Sequence, residues 1–256
     1  MRTHGSKDLW LAALRTDGPA TRAAFEQAAM GEQGLAAPVP SCPEWRVLDL
    51  IHHLGTGYHE VRSHITRGVT SKPDPVSPGD LPEGPAAIQW WADEHTALVT
   101  LLDGLDPELP AWNWAPQPKQ AWFWMRRMAH ETAVHRWDAQ IAVGHGEPVE
   151  SRLAVDGVSE VLDTWLPAGR RRGPTDRAGV VRLVATDVEQ EWFVRLRGAG
   201  VALLDTATWL DHDEHRTRVM ARGTVSDLLL ALWGRVPFDV LEVSGEADLL
   251  AALRTG

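Results

Sequence analysis

Along the first 145 or so residues the apolar positions recur at helical spacing. Leu9, Trp10, Leu11, Leu14 and Phe25, set among alanines, mark a helical region from Asp8 to about Met30; Gly18-Pro19 interrupts it and leaves either one bent helix or two shorter ones. Val39-Pro40-Ser41-Cys42-Pro43-Glu44-Trp45 is a proline-punctuated entry, after which Val47, Leu50, Ile51 and Leu54 predict a second helix. Residues 71–87 hold five prolines and two glycines and predict a long connection. A third helix follows over Ala86 to Leu105, with Trp90, Trp91, Leu98, Leu101 and Leu102, and a fourth from about Lys119 to Val143. Four helices with a long crossover predict a four-helix bundle whose functional side chains project inward from facing helices.

Beyond Gly144-His145-Gly146-Glu147-Pro148 the texture changes. Ala154 to Trp165 predicts one more helix, and Gly169 to Pro174 breaks the chain. Val180–Ala185, Glu191–Leu196 and Val201–Leu204 are rich in β-branched or aromatic residues and separated by short turns, which predicts an antiparallel sheet. An apolar helix, Leu228 to Trp233, then opens behind Thr224 or Ser226 as its cap. The expected organisation is α plus α+β, with a bundle over residues 1–147 and a smaller α+β domain over 148–256.

The chemistry concentrates in His130-Glu131-Thr132-Ala133-Val134-His135-Arg136-Trp137-Asp138. Glu131 and His135 stand four apart on a helix, hence on one face, where a carboxylate and an imidazole can converge on a divalent cation. The alternative is a plain helix-surface pair. The second helix offers a third ligand from His52-His53: about the centre set by Val47, Leu50, Ile51 and Leu54, His53 lies about 110° away and His52 about 150°, which favours His53. His130 sits about 100° from Glu131, an outward or supporting group rather than a ligand. Asp138, three residues past His135, can orient a ligand imidazole or pair with an arginine. His212 and His215 imitate a metal cluster but sit in the charge-rich Asp211-His212-Asp213-Glu214-His215, the mark of a solvated stretch.

Composition narrows the partners. A formal charge of -10 with no long basic run argues against nucleic acid and for a small molecule. No stretch approaches the roughly 18 apolar residues of a membrane span, and the N-terminus lacks a signal-like apolar core, so a cytoplasmic protein is expected, monomeric or homodimeric. The single cysteine, Cys42, rules out an intramolecular disulfide and a cysteine-rich metal site. Of thirteen tryptophans, Trp112, Trp114, Trp122 and Trp124 crowd together, either lining a pocket or, the better reading, anchoring helix packing.

Ser41-Cys42-Pro43-Glu44-Trp45, Asp49-Leu50-Ile51-His52-His53-Leu54, Glu131-x-x-x-His135-Arg136-Trp137-Asp138 and Leu232-Trp233-Gly234-Arg235 together resemble the mycothiol-dependent maleylpyruvate isomerase family. The resemblance spans nearly the whole chain. It implies a DinB-like bundle holding a divalent metal, usually zinc, on His53, Glu131 and His135, followed by a sterol-carrier-like α+β domain. It also implies mycothiol as cosubstrate and a catalytic arginine from the rear domain, for which Arg235 is the candidate. With three protein ligands a zinc ion keeps one position for a thiol, which ionises there. Such a thiolate can add to an activated double bond, permit rotation and leave, a cis-trans isomerisation. If it stays, the product is a thiol conjugate, as in an S-transferase of detoxification or natural-product assembly. A noncatalytic binding protein on the same scaffold is the third reading.

Overall fold

The structure, a computed structural model, describes residues 6–204 and 218–256. They fall into two compact units that divide between Val149 and Glu150.

The first unit holds α1 (Lys7–Met30), a hairpin of β1 (Pro38–Val39) and β2 (Cys42–Arg46), α2 (Val47–Ile65), α3 (Pro85–Gly104) and α4 (Trp122–Ala142). The helices form a bundle: α1 packs on α4 and α3, and α2 packs on α3 and α4. Ser6 caps α1, its hydroxyl accepting from the Leu9 amide at 3.4 Å. Gly18-Pro19 does not divide α1, which runs through both as one helix. A Cβ at Gly18 would stand 2.2 Å from the His95 ring, and His95 bonds through Nε2 to the Leu14 carbonyl at 3.1 Å. The glycine therefore lets α3 approach α1 closely.

The proline-punctuated entry is not simply a helix lead-in. Pro38 pairs with Arg46 and Val39 with Cys42, so the chain reverses at Pro40-Ser41 before α2 begins. α2 buries Val47, Leu50, Ile51, Leu54, Tyr58, Val61 and Ile65, the stripe its periodicity predicts. Its approach to α3 runs through Gly55, where a Cβ would meet the Trp90 ring at 2.3 Å. This close approach, two residues from His53, fixes the height at which α2 presents that side chain. α4 is different in kind: from Phe123 to Gln140 nearly every residue is buried, including Arg126, Arg127, His130, His135, Arg136, Asp138 and Gln140. A helix so buried on all sides and so rich in charge must pair its polar groups, because each uncompensated one is costly. Arg136 does so with Asp17 at 2.9 Å, Gln140 at 2.6 Å and the carbonyls of Glu147 and Pro148 at 3.1 and 3.0 Å.

In the second unit α5 (Ser151–Glu160) continues as a π-helical turn, Val161–Trp165. Five strands follow: β3 (Ala178–Ala185), β4 (Glu191–Arg197), β5 (Gly200–Leu204), β6 (Arg218–Gly223) and β7 (Glu242–Gly245), ordered β5-β4-β3-β6-β7. The α+β class is as expected, with β6 and β7 added to the three strands the sequence signals. All neighbours are antiparallel except β3 and β6, which run parallel from Val180 opposite Arg218 to Ala185 opposite Gly223. α6 (Val225–Leu232) is capped by Thr224 rather than Ser226, its Oγ1 accepting from the Asp227 amide at 3.1 Å. A short α7 (Asp248–Ala251) closes the chain. Among the described residues no helix is long and apolar enough to cross a membrane.

Candidate metal centre

Adjacent helices α2 and α4 bring His53, Glu131 and His135 together, with one ligand atom from each lying within 4.8 Å of the others. Glu131 Oε1 stands 2.9 Å from His53 Nε2 and 3.4 Å from His135 Nε2. Around an ion bound at about 2.0–2.2 Å, tetrahedral donors stand about 3.3 Å apart. Both carboxylate-to-imidazole distances suit that spacing, and two neutral imidazoles with one carboxylate suit a divalent cation. The cluster grades from exposed His53 through half-buried Glu131 to buried His135, so it faces an opening on the α2 side.

Each α4 ligand is braced. Arg127, one turn before Glu131, donates Nη2–H to Glu131 Oε2 at 3.0 Å, leaving Oε1 to face the imidazoles. His135 donates Nδ1–H to Asp138 Oδ2 at 2.7 Å, which turns its Nε2 toward Glu131 and His53. Burial alone would raise the Glu131 carboxyl, yet hydrogen bonds from His135 and His53 and the nearby charges of His135 and Arg127 hold it well below the usual range. Burial would likewise lower the His135 imidazole, but hydrogen bonds to Asp138 and Glu131, with their charges, raise it. The carboxylate thus stays ionised, ready to ligate.

The hairpin completes the surroundings. The Trp45 ring lies 4.6 Å from that of His53 and 5.8 Å from that of His135, bridging ligands from two helices. Sequence reasoning assigned Ser41 and Trp45 no role beyond their place in a family motif and did not single out Arg127. Arg127 carried a signal, since Arg127, Glu131 and His135 step along one helix face at intervals of four.

Residues 11–140 match the Mycothiol maleylpyruvate isomerase N-terminal domain, and residues 152–252 match the MDMPI C-terminal domain. The chain belongs to the mycothiol maleylpyruvate isomerase family. Two crystal structures of the mycothiol-dependent maleylpyruvate isomerase resemble it over 96% of this chain and 98% of theirs. One is of a histidine-to-alanine mutant, with a TM-score of 0.64 at 12% identity, and the other gives 0.58 at 14%. At such identities the likeness is one of fold. No curated protein sequence matches the chain.

Other residues singled out from the sequence fall elsewhere in this family member. His52 turns away from the cluster, donating Nε2–H to the Pro82 carbonyl at 2.8 Å and so tethering the long connection. His130 is fully buried rather than outward and is not in the cluster. Cys42 lies on β2, half-buried, with Sγ 3.8 Å from Asp138 Oδ2. Arg235 belongs to the second unit, half-buried, and donates Nη1–H to the Trp233 carbonyl at 2.9 Å. His212 and His215 lie outside the described residues. The clustered tryptophans pack with neighbouring rings: Trp122 stacks on Trp10 at 6.3 Å, Trp114 meets Phe123 at 5.6 Å, and Trp112 and Trp124 flank His64 at 5.8 and 4.8 Å.

Proposed function

We propose that this chain is an enzyme that binds a divalent metal, zinc first among candidates, through His53 Nε2, Glu131 Oε1 and His135 Nε2, and uses mycothiol to act on a small electrophilic substrate. The convergence of those three donors at metal-ligand spacing carries the reading, and family membership supports the thiol. A divalent cation held there supplies a positive, open coordination position at which a thiol loses its proton at neutral pH.

The chain's own residues do the rest. Arg127 holds Glu131 by one oxygen, Asp138 fixes the His135 ring, and Trp45 lays an apolar face across the two imidazoles. Cys42 is poorly suited to be the nucleophile, because its sulfur is turned to the carboxylate of Asp138. The thiol therefore comes from the cosubstrate. Its sulfur adds to a carbon of the activated double bond while the electron pair moves onto the conjugated carbonyl. Rotation about the resulting single bond and collapse of the enolate then expel the thiolate and restore the double bond, now trans, with no thiol consumed. Arg235 is assigned to a substrate carboxylate, which a guanidinium recognises bidentately. Zinc, a monomer or homodimer, and a cytoplasmic setting belong to the same proposal.

The test is turnover of maleylpyruvate with mycothiol present and absent, following both fumarylpyruvate and free thiol. Fumarylpyruvate formed at constant thiol supports isomerisation. Thiol consumed into an adduct replaces it with S-transfer, and no thiol dependence with any electrophile overturns the enzymatic reading. Arg235→Lys should keep its metal and lose activity, with KM rising more than kcat falls if the residue only grips the substrate.

A further inference from the structure

The β1–β2 hairpin reaches the metal cluster through the Trp45 ring and through a chain of hydrogen bonds by way of Asp138. Asp138 is fully buried, and its two oxygens have different partners. Oδ1 accepts from the Ser41 hydroxyl at 2.6 Å, while Oδ2 accepts from His135 Nδ1–H at 2.7 Å. Ser41 sits at the hairpin's reversal, fixed by the pairing of Val39 with Cys42 and Pro38 with Arg46. The carboxylate therefore cannot swing away from His135 without giving up Ser41. Four residues after Ser41, the same hairpin sets Trp45 over His53 and His135.

We propose that Ser41 and Asp138 form a positioning relay by which the hairpin sets the metal affinity of the site; this rests on the metal-binding reading above. An imidazole ligates through Nε2 only when its proton is on Nδ1, and a hydrogen-bonded carboxylate selects that tautomer, orients the ring and strengthens it as a donor. Asp138 does this for His135, and Ser41 holds Asp138 in place. Neither residue touches the ion. The hairpin is thus part of the metal site, although it supplies no ligand.

The test is the zinc dissociation constant, measured by competition with a chromophoric chelator, for the parent, Ser41→Ala, Asp138→Asn and the double variant. Tyr58→Phe is the control for loss of a buried hydrogen bond, since Tyr58 bonds Thr132 in the core at 2.7 Å. Asp138→Asn should weaken zinc about 10–100-fold, the usual effect of losing a partner of a metal-bound histidine. Ser41→Ala should weaken it about threefold to tenfold, only part of the worth of a charge-assisted hydrogen bond, since Ser41 acts on the ion through Asp138. Because Ser41 acts through Asp138, the double variant should bind zinc no worse than Asp138→Asn alone, and Tyr58→Phe should bind as the parent does. Additive losses in the double variant, or parental affinity in both single variants, overturn the relay while leaving the metal site standing. A parent that takes up no zinc overturns the metal site and the relay together. If Asp138→Asn does not fold, Ser41→Ala against the parent decides alone.

Discussion

The two helices that deliver the candidate ligands are built in opposite ways. α2 has an apolar stripe and a polar edge, and it offers His53 from that edge, exposed, with its Nε2 on Glu131 and the Trp45 ring against it. α4 is buried along most of its length, and both of its ligands are gripped, Glu131 by Arg127 and His135 by Asp138. Rigid bracing on one side and exposure on the other divides the labour: α4 supplies a preorganised half-site and α2 supplies the access. Preorganisation raises affinity because the ordering cost is met during folding rather than on binding.

The sharpest way to break that contrast is to delete ligands one at a time. His135→Ala or Glu131→Ala should weaken metal binding by at least about 10²-fold, roughly a sixth to a quarter of the ~10–16 kcal/mol of a well-formed zinc site. His53→Ala should cost about tenfold less, since it removes an unbraced ligand and leaves no buried partner behind. Equal losses at all three positions, measured by chelator competition, would show that the bracing has no consequence for affinity.

A second effect tests the burial at the other end of α2. Burial holds the His64 imidazole neutral, with its pKa lowered from 6.5 to about 4. Its Nε2 has no partner among the described residues, and the rings of Trp112 and Trp124 flank it. The unfolded chain therefore takes up the proton first. Stability is full above pH 6.5 and falls as the pH drops toward 4, by roughly 3 kcal/mol in all. His64→Phe should flatten that limb in urea denaturation at pH 7 and pH 4.5. An unchanged pH dependence would mean that His64 is solvated in solution.

A smaller effect lies at Gly55. Gly55→Ala forces a methyl toward Trp90 and should cost about 1–3 kcal/mol of stability as an overpacked contact. It should also weaken metal binding a fewfold by shifting His53, with no change in Glu131 or His135. A destabilised variant with parental metal affinity would uncouple the seating of α2 from the site.

These contrasts also explain what the sequence made legible. His53 could be told from its neighbour His52 because α2 is amphipathic, so angular position about the stripe carried information. Glu131 and His135 were legible from spacing alone, because residues four apart share a face whatever surrounds the helix. Hydrophobic periodicity said little about α4, where Arg126, Arg127 and Asp138 are as buried as Phe123 and Met125. Ser41 and Trp45 were hidden for another reason. Their role depends on a hairpin with prolines at positions 38, 40 and 43, a composition that usually argues against strands. In the second unit β6 and β7 escaped notice because their alternation is short and broken by Arg218, Arg222 and Gly245, while the longer runs of β3 and β4 stood out.

The central claim is that His53, Glu131 and His135 hold one metal ion. The most direct measurement is metal per chain by inductively coupled plasma mass spectrometry on protein purified without an affinity tag, beside a His53→Ala, Glu131→Ala, His135→Ala triple variant. About one equivalent of zinc or another divalent metal in the parent and none in the folded variant is the expected result. A parent without metal even after incubation with zinc, or a triple variant that retains a full equivalent, would contradict it.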